Sequence, residues 1–127
     1  KGIYDLLNVF SELDDEGYEF KLLVAGDGEI TKATEFSKSL NIDEKIKFLG
    51  WVDGDLKKEL LNTSSCYILP SYSEGMPIGI IEALSAALPI IATNIDGIVE
   101  TVDHGMNGFL YKPGDNKNLK LYIISFF

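Results

Sequence analysis

The chain contains no arginine, one cysteine and one histidine, and it has no apolar run long enough to span a membrane. Each shortage removes a class of function. Without arginine, planar bidentate recognition of a phosphate or carboxylate is closed to this chain. All 11 basic residues are lysine, and none lies between Lys58 and Lys112. An anion bound in that stretch must be held mainly by backbone N–H groups and helix N-termini. The lone Cys66 excludes a disulfide framework and a multi-cysteine zinc site. The lone His104 speaks against a histidine metal cluster and against a Ser/His/Asp triad. The 11 basic residues face 20 acidic ones, for a net charge of −9. That balance argues against nonspecific nucleic-acid binding, which needs a cationic face, and against docking on anionic lipid. No basic-then-apolar signal segment opens the chain.

What is present suits one ordinary folded domain. The 127 residues are 46% hydrophobic and 24% charged. A chain of this length buries a core large enough to need no disulfide or metal staple. Periodicity predicts a helix from Tyr4 to about Glu16, with Leu6, Leu7, Phe10 and Leu13 on one face and Gly17 as its stop. Short apolar runs predict strands at Lys21 to Ala25, Ile46 to Leu49, Cys66 to Leu69, Pro89 to Ala92 and Gly108 to Tyr111. Between them, helices are expected at Ile30 to Leu40, Asp55 to Leu61, Ile78 to Ala87, Ile98 to Val102 and Asn116 to Ser125. Strands that alternate with helices and run apolar without strict alternation predict an α/β domain with a doubly wound parallel sheet. In such a sheet the ligand lies beyond the carboxyl ends of the strands. Three loops qualify: Gly26 to Gly28, Gly50 to Gly54, and Ser71 to Pro77.

The third loop carries the chemistry. Gly75 permits close backbone approach to a ligand, and Pro77 fixes the start of the helix that follows. First-turn N–H groups around Ile78 to Ile80 suit an oxyanion such as a phosphate. Glu82 lies one turn further along an otherwise apolar helix, where a carboxylate needs donors. A pair of ribose hydroxyls supplies them, and so does a lysine in a plain ion pair. Glu74 either reaches hydroxyls on the group beyond the phosphates or is a solvated loop residue. Gly26-Asp27-Gly28 lacks the third glycine of a dinucleotide fingerprint and reads as a tight turn. His104 reads as a surface turn residue, Trp51 as a partly buried wall and Cys66 as inert core.

The order of six stretches adds a further signal. They are Lys-Leu-Leu-Val-Ala-Gly-Asp-Gly (21–28), Ile-Lys-Phe-Leu-Gly-Trp-Val (46–52), the segment 69–83 from Leu-Pro-Ser-Tyr-Ser-Glu-Gly to Ile-Ile-Glu-Ala, Leu-Pro-Ile-Ile-Ala-Thr (88–93), Asp-Gly-Ile-Val-Glu (96–100) and 105–115. Together they resemble the carboxy-terminal, nucleotide-sugar-binding domain of retaining glycosyltransferases of the family 4, or group 1, type. The resemblance implies a Rossmann-like half of a GT-B fold. It matches the family's E-x7-E glutamates to Glu74, on the donor sugar, and Glu82, on the ribose. It implies that Gly75, Met76, Pro77 and Ile78 meet sugar and phosphate through the backbone and that Val52 lies beside the base. Lys1 matches a lysine on the diphosphate, and the family's partner arginine would precede residue 1.

The same resemblance implies a hexosyltransferase whose substrate is a nucleotide-diphosphate sugar, a UDP-sugar by default, without metal or other cofactor. The acceptor would be a glycan or lipid-linked sugar held by an absent amino-terminal domain, in bacterial surface polysaccharide synthesis such as that of O-antigen. The chain is then expected to be a cytoplasmic piece cut at both ends, inactive alone, with any contact to the inner membrane face made by the missing domain. Two departures from the family stand out: Ala87 where glycine is frequent, and Asp96-Gly97-Ile98-Val99-Glu100 where Gly-Gly-Ile-Pro-Glu is frequent. Alternatives to the transferase are a GT-B sugar-nucleotide epimerase or hydrolase, and a noncatalytic α/β binding module.

Overall fold

The computed structural model describes residues 2–26, 28–75 and 77–127. Helix α1 (Ile3–Asp15) leads to strand β1 (Leu22–Ala25), α2 (Ile30–Ser39), β2 (Ile46–Gly50) and α3 (Gly54–Thr63). Strand β3 (Tyr67–Leu69), α4 (Ile78–Ser85), β4 (Ile90–Thr93), β5 (Gly108–Tyr111) and α5 (Asn116–Ile124) complete the chain. The five expected strands all form. The segment Ile98 to Val102 is not a helix. Gly97 before it has φ of +88°, and linked turns follow, with the N–H groups of Ile98 and Val99 both donating to Ile95 and that of Val102 to Ile98. A short 3-10 turn at Asp43–Lys45, which the apolar pattern does not mark, leads into β2.

Every strand pairing is parallel, but the described strands form two sheets. One pairs β1 with β2, and the other has the order β3-β4-β5. No ladder joins β1 to β3; side-chain packing links the two sheets instead. Leu6, Leu7, Val9, Phe10 and Leu13 of α1 share one buried cluster with Leu22 and Ile46 of the first sheet and Ile91 and Tyr111 of the second. Successive strand residues point to opposite faces, so Ile90 and Ala92 of β4 join a second cluster with Ile80 and Ala83 of α4. All four β4 residues are buried. A strand covered on both faces is the mark of a doubly wound sheet, with α1, α2 and α5 on one side and α4 on the other. No helix among the described residues is long and apolar enough to cross a membrane.

Three helices end in one motif. After α1, Gly17 donates to Asp14 and Tyr18 to Leu13; after α2, Asn41 donates to Lys38 and Ile42 to Ser37; after α4, Ala87 donates to Leu84 and Leu88 to Ala83. Each pairs two late carbonyls through a residue in the left-handed region, here Gly17 at +88°, Asn41 at +59° and Ala87 at +61°. Glycine and asparagine tolerate that conformation, and alanine is strained in it.

Candidate donor-binding site

The carboxyl ends of β3 and β4 open onto the loop Ser71 to Pro77. Pro77 is buried and caps α4, which starts at Ile78 with no side chain bonded to its first turn. The Ile80 N–H, one of the expected anion donors, instead donates to the Pro77 carbonyl at 3.0 Å, which leaves those of Ile78 and Gly79 as the candidates. The Ile78 side chain is 60% exposed, so an approaching ligand meets it beside the first turn. Gly75 is exposed, and its carbonyl packs against Gly97 so closely that a Cβ on Gly97 would collide with it. Met76 and Lys1, both expected at the donor, lie outside the described residues. Gly2, next to Lys1, donates its N–H to the Pro70 carbonyl at 3.1 Å, which brings the start of α1 to this same loop. A Cβ on Gly2 would overlap that carbonyl, so only glycine permits the approach.

Glu82 lies on α4 and meets Lys57 of α3, Nζ to Oε1 at 2.6 Å. Both side chains are about a third exposed, at 36% for Lys57 and 37% for Glu82. Oε1 is buried beneath this contact, so its charge is met by the Lys57 ammonium. The lysine pair is the plainer alternative that the sequence leaves open. Lys57 brings a cation to a stretch that has no lysine of its own between Lys58 and Lys112. It comes from a neighbouring helix, three residues past the Gly50 to Gly54 loop, so a local reading around Glu82 passes over it.

Glu74 is partly buried and accepts a hydrogen bond from the Ser71 hydroxyl at 2.7 Å on Oε2. Tyr67 of β3 senses both carboxylates: burial, then the charge of Glu74, then that of Glu82, raise its hydroxyl above the usual tyrosine range. Both glutamates thus lie within electrostatic reach of the Tyr67 hydroxyl. The Tyr67 hydroxyl packs against Gly79, where a Cβ would collide with it. Val52, expected beside the base, is buried, so its side chain is covered in the isolated chain. Its neighbour Trp51 is not the partly buried wall expected; it stands 73% exposed, its indole N–H donating to Asp53 at 3.3 Å. A polar partner beyond the strand end holds the ring out over the loop.

Tyr67, Ser71, Thr93 and Lys57 were not singled out by the sequence. Thr93 had a weak signal, a lone hydroxyl closing an apolar strand. Among the described residues no group of His, Cys, Asp and Glu could hold a metal ion. Hollows of about 360 and 450 Å³ lie at the opposite, amino ends of the strands, one beside Lys21 and Ile46, the other beside Pro89 and Gly108. Neither touches Glu74 or Glu82.

A doubly wound α/β unit of this kind is a Rossmann-like half of a GT-B architecture. The chain belongs to the glycosyl transferases group 1 family, which it matches over residues 1–127. It is 34% identical over 116 residues to the N-acetyl-alpha-D-glucosaminyl L-malate synthase of Bacillus anthracis, covering 91% of this chain and 30% of that protein. It is 34% identical over 119 residues to the lipopolysaccharide 1,6-galactosyltransferase of Escherichia coli, covering 91% of this chain and 32% of the other. The structure of Anabaena HepE in complex with UDP-glucose superposes with a TM-score of 0.87 at 25% identity, covering 98% of this chain and 35% of HepE. The chain thus spans about a third of the length of the relatives it matches.

Proposed function

We propose that the chain is the donor-binding part of a longer hexosyltransferase that moves a sugar from a nucleoside diphosphate to a glycan or lipid-linked acceptor with retention at the anomeric carbon. The observation that carries this reading is the helix start at the carboxyl end of β3, with Glu74 in the loop before α4 and Glu82 one turn past its first residue. A ribose hydroxyl reaches Glu82 in competition with the Lys57 ammonium. In this scheme Glu82 holds the ribose and Glu74 a hydroxyl of the donor sugar. The backbone at Gly75, Met76, Pro77 and Ile78 meets sugar and phosphate, Val52 borders the base, and Lys1 with an upstream arginine faces the diphosphate. The C1–O bond to the diphosphate breaks with its electron pair going to the phosphate oxygen, and the acceptor hydroxyl oxygen bonds to C1 on the same face while its proton passes to the departing phosphate oxygen. Charge developing on the leaving group is met by lysine and by fixed backbone dipoles.

UDP is the favoured nucleotide, supported by the UDP-glucose bound in HepE. Relatives named for lipopolysaccharide and capsular polysaccharide synthesis support a cytoplasmic role in building a bacterial surface glycan. In this reading the second wall of the cleft, with the acceptor, comes from an amino-terminal domain. The isolated chain is then expected to bind donor and not to transfer sugar. The test is a panel of UDP-glucose, UDP-galactose, UDP-N-acetylglucosamine and GDP-mannose, read by ligand-observed NMR. Saturation transfer to the nucleotide and sugar protons of at least one supports the reading, and none from any of the four contradicts it.

A further inference from the structure

We propose that Thr93 and Ser71 are positioning residues that set the Glu74 carboxylate toward the donor sugar, an inference that rests on the role given to Glu74 above. Three polar side chains are buried among the described residues: Ser37, Ser71 and Thr93. Ser37 bonds within its own helix, to the Thr34 carbonyl. The other two form a relay. The Thr93 hydroxyl donates to the Ser71 carbonyl at 2.6 Å, and the Ser71 hydroxyl donates to Glu74 Oε2 at 2.7 Å. Thr93 is 1% exposed and Ser71 3%, so solvent is kept from the Thr93 bond and from the donor side of the Ser71 bond.

The relay ties the loop to the most deeply covered strand. Thr93 is the last residue of β4, whose four positions are all buried. Four residues on, Gly97 closes against the same loop: a Cβ there would collide with the Gly75 carbonyl and come within 3.1 Å of that of Glu74. The loop backbone is thus held at Ser71 from one side and at Glu74-Gly75 from the other. The hydroxyl from Ser71 engages one carboxylate oxygen, Oε2, which restrains the group, and Oε1 takes no part in that bond. A carboxylate oriented before the ligand arrives loses less freedom on binding, so the brace should be felt only by the part of the ligand that Glu74 touches.

The experiment measures UDP and UDP-glucose affinities by calorimetry, with melting temperatures, for the unmodified chain and for Glu74→Ala, Thr93→Val, Thr93→Ser and Ser71→Ala. Glu74→Ala defines the loss of sugar contribution, read as a fall in the ratio of UDP-glucose to UDP affinity. Thr93→Val, nearly isosteric but without the hydroxyl, and Ser71→Ala should each lower that ratio by about three- to tenfold and leave UDP affinity within about twofold. Thr93→Ser, which restores the donor, should recover the unmodified ratio. If Glu74→Ala lowers the ratio while Thr93→Val and Ser71→Ala do not, the relay is overturned and the role of Glu74 stands. If Thr93→Val and Ser71→Ala weaken both ligands equally, they serve folding alone and the proposal fails. A ratio that survives Glu74→Ala overturns the assignment of Glu74, and the relay with it.

Discussion

Replacing Glu82 by glutamine separates a ribose ligand from a folding contact, because the two roles move different quantities. The folding role resides in the ion pair with Lys57, and both side chains are about a third exposed. Solvent screening limits such a pair to about 0–1 kcal/mol. For a chain of 127 residues, unfolding entropy near 2.1 cal/mol/K per residue makes 1 kcal/mol worth about 4 °C in melting temperature. Glu82→Gln should therefore lower the melting temperature by no more than about 4 °C. Relief of the buried Oε1 charge offsets part of that loss. The ribose role is larger. Bonds to a charged acceptor contribute about 1.5–3 kcal/mol against about 0.5–1.5 for neutral ones, so two weakened bonds cost about tenfold or more in UDP affinity.

The assay pairs calorimetry of UDP and 2′-deoxy-UDP with thermal melting on the same two proteins. The unmodified chain should prefer UDP over its deoxy analogue by about tenfold, and the variant should lose most of that preference. Lys57→Met, which removes the competing cation and leaves the carboxylate, should keep the preference. A variant that melts well below this window and still discriminates ribose from deoxyribose refutes the assignment: Glu82 would then be a structural partner of Lys57.

Other expectations follow from particular residues. Ala87 holds φ of +61° at the end of α4, so Ala87→Gly relieves left-handed strain and should raise stability by about 0.5–1 kcal/mol, or about 2–4 °C; an unchanged or lower melting temperature contradicts it. Burial pushes the Cys66 thiol up to about 12, so at pH 8 its reaction with a disulfide reagent should be at least about a hundredfold slower than in the urea-unfolded chain. Equal rates contradict the burial. The sign for stability runs the same way. A folded-state value above the unfolded one favours the native thiol below the ordinary cysteine range, and that contribution fades as pH rises from about 9 toward 12.

The local pattern carried much of this molecule and stopped where long-range geometry began. The apolar runs at Leu22–Ala25, Ile46–Gly50, Tyr67–Leu69, Ile90–Thr93 and Gly108–Tyr111 are legible because a strand covered on both faces needs unbroken hydrophobicity. Helix ends are legible where glycine marks them, as at Gly17, and less so at Ala87, which holds the left-handed conformation without one. The split between β1-β2 and β3-β4-β5 is not legible, since ladder pairing depends on partners and not on the run itself. Ile98 to Val102 has a helical look, but Gly97 is needed in the left-handed region to pack on Gly75, and the segment closes in turns. Glu74 and Glu82 stand out by motif. Lys57, Ser71 and Thr93 do not, because their meaning lies in bonds that span separate elements of the fold.

The central claim is that the start of α4 and the loop before it hold the diphosphate of a nucleotide sugar although the chain carries a net charge of −9. The most direct test is the affinity of the unmodified chain for UDP against uridine, measured by calorimetry at low ionic strength. Backbone donors at a helix start add charge-assisted bonds of about 1.5–3 kcal/mol, so UDP should bind at least about tenfold more tightly than uridine and lose part of that advantage as salt is added. Equal affinities, or tighter binding of the uncharged nucleoside, would contradict the account.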